Sequence, residues 1–301
     1  MTHAPSECLN GLETIPGLPC WVRSEKLQDI ENAAFMSGAA LAHLQLVIGR
    51  EDVPQALLRH RLAMQAAAVC VAHSGRPERI GDLRDALHLR RPDDLPGPAG
   101  EIALQWARVV KRPVTLQLLQ RALPGCDSAA VSGWFDAGEG GPVMRAAATV
   151  ETVLADRPRD ETAALILADA VLARALGWAH LIPLLALHLA PRDLHKVGDD
   201  LRLACHRAVI AAATEVCRIV GDLSRRSARL QAVAPKLRAK GAGTAVKMLL
   251  DRDAISPAEL ADPMNGTDMS GRAARRFCDR LVSLGVLREL TGRDAFRLYG
   301  L

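Results

Sequence analysis

Four arginines, Arg272, Arg275, Arg276 and Arg280, cluster near the C-terminal end of this 301-residue chain. Set at the helical step of about 100° per residue, they fall on one side with Asp279 and Ser283. Ala274, Phe277, Leu281 and Leu284 fall on the other. A helix anchored by its apolar side would present four guanidinium groups outward. Each is a planar fork of N–H donors that can grip a phosphate or a guanine edge through two parallel bonds. That chemistry is anion recognition rather than catalysis. Lys236, Arg238 and Lys240 add a basic stretch upstream, and Arg293 adds a cation downstream. From Asp222 onward the chain holds 15 Lys and Arg against 9 Asp and Glu, a net of +6, which leaves −2 for the rest of a +4 chain. A basic module on a near-neutral body has this distribution.

A second set of polar residues lies in apolar surroundings. Asp169 and Arg174 interrupt a run rich in Ala and Leu, with Trp178, His180 and His188 following. Two readings stand side by side: a polar pocket for a small effector or a metal, and a buried ion pair with core histidines. The second is the commoner reason for charge in a core. His195, Cys205 and His206 are metal-ligand types, but Cys205 and His206 are helix neighbours pointing about 100° apart, which argues against joint ligation. The motifs H-E-x-x-H, G-x-S-x-G, G-x-x-x-x-G-K-[ST] and the E-x-x-H pairs of di-iron bundles are absent from the sequence. Gly241-Ala242-Gly243 opens like a dinucleotide loop, but no strand precedes it and it reads as a hinge. The expectation is a protein that is not an enzyme, with no catalytic residue, metal or cofactor.

Hydrophobic residues make up 49% and aromatic residues only 3%, so the core must be built from Ala, Leu and Val. These favour close helix packing, whereas a large β-protein draws on β-branched and aromatic residues. The 7 cysteines are scattered without a C-x-x-C pair. That excludes a zinc knuckle, argues against a disulfide framework and predicts a reducing cytoplasm. No secretory signal is evident. The most apolar stretch, 163–190, is broken by Asp169, Arg174, His180, Pro183 and His188, so it reads as buried helices rather than a membrane span.

These residues need elements to hold them. Residues 1–21, with Pro5, Gly11, Pro16, Gly17 and Pro19, read as an irregular leader. An all-helical domain is expected over 22–234, with helices predicted at 26–48, 54–72, 78–89, 98–110, 114–123, 143–155, 160–176, 182–189 and 200–233. Loops are predicted at 91–98 and 137–142. Residues 33–41 of the first helix are mostly small, which lets another helix approach. Pro235 ends the last long helix and opens a winged-helix-like domain over 235–301. There, a helix spans 244–250. Ser256-Pro257-Ala258-Glu259 forms a capping box that starts the next helix. The arginine-bearing helix runs over 271–284 between Ser270 as cap and Gly285 as stop. Alternating segments at 286–290 and 295–299 flank a Gly-containing turn and predict a β-hairpin, with Phe277, Phe296 and Tyr299 supplying bulk. The fold class is mainly α, a multi-helix body with a C-terminal winged helix-turn-helix ending in a small β-hairpin.

In that geometry Arg272, Arg275, Arg276 and Arg280 would meet base edges or phosphates of double-stranded DNA. Arg293 would sit at the wing tip, and Lys236, Arg238 and Lys240 would contact phosphates. The body would serve self-association, as a homo-oligomer, or effector sensing. The rival reading is a protein–protein adaptor whose winged helix docks a partner, its basic face solvated and stabilised by Asp279 and Glu289.

The stretch from Ala232 to Gly243 and the ending from Ala273 through Arg276 and Leu290 to Leu301 resemble the C-terminal part of domain-of-unknown-function family 1403. Weaker echoes lie at 33–41, 167–174 and 183–185. The resemblance implies a bacterial, alphaproteobacterial and often plasmid-borne protein with no established activity; the expectation of a DNA-binding regulator or plasmid-associated accessory protein rests on the basic tail. It supplies no catalytic residues. Residues 265–269 depart from the shorter turn expected there.

Overall fold

One helix of this protein is apolar on every side. Between Glu161 and Ala175 (α8) all eleven residues from 163 to 173 are buried, and a helix without a polar face must lie inside others. In the computed structural model, which describes residues 15–23, 28–90 and 93–301, α8 is that centre. Around it pack α2 (Gln55–His73), α4 (Gly97–Lys111), α6 (Ser128–Phe135), α7 (Pro142–Asp156) and α9 (Leu185–His188). A second long pair closes the body: α1 (Ile30–Ile48) lies against α11 (Gly198–Val233). The small residues of α1 do what their size predicts, since Ala33, Ser37 and Ala40 are buried. The remaining body helices are α3 (Ile80–His88), α5 (Leu116–Ala122) and α10 (Pro191–Leu194).

Side-chain caps set several of the starts. Asp29 accepts from Asn32 N at 3.0 Å, Thr115 from Leu118 N at 3.2 Å, and Asp127 from Ala129 N and Ala130 N at 2.9 and 3.0 Å. Each satisfies an N–H that the helix itself leaves unpaired. The α6 helix has no counterpart among the predicted helices, although Asp127 is a regular cap signal. The expected helix over 182–189 shrinks to the single turn α9. Pro183 has no N–H, and the next three N–H groups are taken by Asp169, which accepts from Leu184, Leu185 and Ala186 at 3.0, 2.8 and 3.1 Å. Most of the predicted leader, 1–14, lies outside the described residues, as do 26–27 of the first predicted helix and 91–92 of the predicted loop. The end of the leader is packed rather than loose: Leu18 is buried, as is Val22 just beyond it in a 3-10 turn at Cys20–Arg23.

The tail comprises α12 (Ala242–Asp251), α13 (Pro257–Ala261), α14 (Gly271–Ser283) and two short antiparallel strands, β1 (Arg288–Glu289) and β2 (Tyr299–Gly300). Ser256 and Glu259 form the capping box expected of them. Glu289 pairs with Tyr299 on one side, while Ile255 bridges Tyr299 on the other through reciprocal N–H···O bonds of 2.9 Å. The chain between α12 and α13 thus joins the terminal strands. No helix among the described residues is long and apolar enough to cross a membrane.

Asp169 is central to the packing of α9, and burial pushes its carboxyl up to about 7 against the three N–H donors that pull it down. Asp169→Ala would leave those buried N–H groups unpaired and should lower unfolding free energy by about 3 kcal/mol. Asp169→Asn keeps one acceptor oxygen and should lose less. Urea denaturation of the two variants beside wild type checks both the loss and its order.

Candidate nucleic-acid interface

The cationic face is built on α14. Ser270 caps it by accepting from Ala273 N at 3.3 Å. Its inner side buries Ala274, Phe277, Cys278 and Leu281. Leu284, expected on that side, is 40% exposed because the helix has ended and the chain is turning at Gly285; Cys278 fills the core position instead. Arg272, Arg275, Arg276 and Arg280 are all exposed, and none of the four has an ion-pair partner among the described residues. The two acids that could have neutralised them are engaged elsewhere. Asp279 accepts from the Tyr299 hydroxyl at 3.4 Å. Glu289 accepts from Thr291 N at 2.8 Å, from the Thr291 hydroxyl and from Gly292 N at 2.7 Å. Burial raises the Glu289 carboxyl, but the Thr291 and Gly292 donors outweigh it and hold it below the usual range.

The other predicted cations fare differently. Arg293 does not extend from the hairpin. Its Nη2 lies 2.6 Å from Asp85 of α3 and 3.1 Å from the Phe296 carbonyl, so the body holds it back. Lys240 pairs with Asp268 at 3.3 Å. Lys236 and Arg238 are exposed and unpaired among the described residues. The predicted hinge glycine has another role: Gly241 sits at φ 75°, and a Cβ there would stand 1.6 Å from the Thr267 carbonyl oxygen. Only glycine fits this close approach, which pins the basic stretch to the loop just before α14. Phe296 also departs from expectation. Instead of packing the hairpin it is 75% exposed, at φ 54°, because the strands pair only at 288–289 and 299–300 and leave a longer loop between. That loop and α14 border a cleft of about 600 Å³ lined by Arg275, Asp279 and Tyr299.

A buried carboxylate orients this face. Asp253, 3% exposed, is bound by Arg61 of α2 and by Arg84 of α3, the latter at 2.7 Å. Arg61 also donates to the Leu301 main-chain oxygen at 3.0 Å, and His88 meets Glu259 at 3.2 Å. Burial raises the Asp253 carboxyl, but the charges of Arg61 and Arg84 outweigh it and hold it below the usual carboxylate range. In the sequence Asp253 reads only as part of a helix end. Partners nearly two hundred positions away leave no local signal.

Asp169 and Arg174 are not brought together and do not form the buried pair expected of them. Five residues apart, they point about 140° from one another on the helix. Arg174 instead reaches Asp136 at 2.8 Å and lies 3.7 Å over the Phe135 ring. His188 meets Glu215 at 2.7 Å and His195 meets Glu161 at 4.0 Å. Burial pushes the Cys205 thiol well above its usual range, and His206 bonds Ser37 at 2.7 Å. No group of three His, Cys, Asp or Glu among the described residues is arranged to hold a metal ion.

The family described as "Protein of unknown function (DUF1403)" matches residues 6–301, and the chain belongs to it. None of the curated proteins compared with the chain matches it. The family description carries no activity, so function has to be argued from the geometry.

Removing the Asp253 carboxylate strands two largely buried guanidinium groups. Asp253→Ala should therefore cost about 3–5 kcal/mol, measured by urea unfolding. Because its folded pKa lies below the ordinary 3.8, the stability it contributes is present above that value and is lost as pH falls through the depressed one. The wild-type urea midpoint should decline below about pH 4 more steeply than that of Asp253→Asn.

Proposed function

We propose that this member of the DUF1403 family is a DNA-binding regulator or accessory protein that grips double-stranded DNA with a C-terminal winged helix-turn-helix, α14 being its recognition helix. The order of elements supports the fold reading: α12, a bridge at Ile255, α13, α14 and the β1–β2 hairpin, with Ile255 and β1 flanking Tyr299. The observation that carries the function is the state of the charges. Arg293, Arg297 and Lys240 are each ion-paired, while the four outward arginines of α14 are not. An unneutralised guanidinium row on a helix of 13 residues, about 20 Å long, suits a major groove about 12 Å wide. Lys236 and Arg238 would add phosphate contacts beside it. Arg293 would join only by exchanging Asp85 for a phosphate. The reading is of a non-catalytic cytoplasmic protein whose helical body serves self-association or sensing.

The adaptor reading draws on a different observation: Phe296 and Met264 of the tail are 75% and 91% exposed, and apolar side chains of this size suit a protein partner. Salt separates the two. Phosphate binding releases counterions and weakens steeply with salt, whereas apolar docking does not.

With a random-sequence duplex followed by fluorescence anisotropy, Arg275→Ala combined with Arg276→Ala should weaken binding at least about tenfold at low salt. It should also reduce the slope of log affinity against log salt by roughly 2, with thermal melting unchanged. A double variant that binds as well as wild type would remove α14 from the interface. Failure of the folded wild type to bind the duplex at low salt would favour the adaptor.

A further inference from the structure

The body contains a cavity that the DNA reading leaves unused. It has a volume of about 470 Å³ and lies between α1, the start of α7, the segment after α8 that carries Trp178, and His206 of α11. Pockets of this size take small organic ligands. Among the described residues no Asp, Glu, Lys or Arg lines it, and burial shifts His206 towards its neutral form, so these walls offer no countercharge to an ion.

The polar atoms at its margin are few, and their roles can be assigned. The Trp178 indole N–H donates to Gln45, so those two groups satisfy one another. The Ser37 hydroxyl donates to the Ala34 carbonyl at 3.0 Å. Nδ1 of His206 lies 2.7 Å from the Ser37 oxygen, so that ring nitrogen is occupied and Nε2 is the one left to meet a ligand. It has no partner among the described residues, on a side chain whose residue is only 5% exposed. A ring nitrogen without a partner at the margin of an apolar cavity offers a ligand one hydrogen bond, as acceptor or donor according to the tautomer.

Packing supplies a second observation. Gly38 lies in the interior of α1, where glycine weakens a helix relative to alanine. A Cβ there would meet nothing within 4 Å, and the same holds for Gly141 on the opposite wall. Neither glycine is required by a close neighbour or by a positive φ. Their common effect is to keep the cavity wide.

We infer that this cavity binds an uncharged, mainly apolar small molecule that carries one hydroxyl group, hydrogen-bonded to Nε2 of His206. This site is independent of the tail and stands whether or not α14 contacts DNA.

Isothermal titration of the full chain with 2-naphthol and with 2-methylnaphthalene, which lacks the hydroxyl, tests it. The expected result is one saturable site with 2-naphthol bound roughly tenfold tighter, the worth of one buried hydrogen bond. Gly38→Leu should abolish binding of both probes by filling the space, and His206→Phe should erase the preference between them. Met144→Trp fills the cavity from α7 and serves if Gly38→Leu lowers the helical circular dichroism signal. The inference is overturned if 2-naphthol shows no saturable binding, if its affinity is unchanged in the filled variants, or if the preference survives in folded His206→Phe. A chain lacking residues 1–14 is titrated in parallel. Binding to that shortened chain alone would mean that its own N-terminal segment occupies the cavity, and would overturn the inference equally.

Discussion

The arrangement of the tail depends on one carboxylate. Asp253 lies between Arg61 and Arg84, which belong to two different body helices. Arg61 in turn holds the main-chain oxygen of Leu301. A buried charge is tolerated only when its partners and their remaining hydrogens are satisfied, so the three groups form or fail together. The terminal strand is drawn into the same unit. A Cβ at Gly300 would stand 2.6 Å from the Asp253 carbonyl oxygen, and Ile255, two residues on, shares its backbone bonds with Tyr299. Ion triad, bridge and strand together decide which side of α14 meets the core and which side meets solvent.

That orientation gives the charge surplus of the tail its meaning. A net of +6 spread over paired groups would have no directional consequence. Here several acids of the tail and its border have other partners: Asp279 accepts from Tyr299, Glu289 from the turn after β1, while Asp85 pairs with Arg293 and Asp268 with Lys240. The four arginines of α14 have no ion-pair partner among the described residues and share one face. Electrostatic attraction between such a row and a polyanion is long-ranged at low salt and screened within about 8 Å at physiological ionic strength. The proposed DNA contact would therefore steer association as well as hold the complex.

The architecture of the body reflects its poverty in aromatic residues. Ala and Leu let α7 lie close on α8 and α1 close on α11, and Trp106 is the largest side chain fully enclosed. The same small residues leave space where no helix covers them. On α1, Ala33 and Ala40 are buried and Ser37 bonds His206 of α11, while Ala34, Gly38 and Ala42 border the cavity. One composition thus yields close packing on one side of a helix and a recess on another.

The sequence by itself determined the helical class, most element positions and the outward side of α14. Each is a local or periodic property: caps such as Ser256 and Ser270, apolar spacing at Ala274, Phe277 and Leu281, and proline and glycine at the ends. Tertiary structure alone decided the rest. The partner of Arg293, the separation of Asp169 from Arg174, the exposure of Phe296, the role of Gly241 and the Ser37 contact of His206 all depend on groups far apart in the chain. No local pattern encodes them, because an ion pair or a close backbone approach is selected by the packing of whole helices, and its free energy is set by the burial which that packing creates.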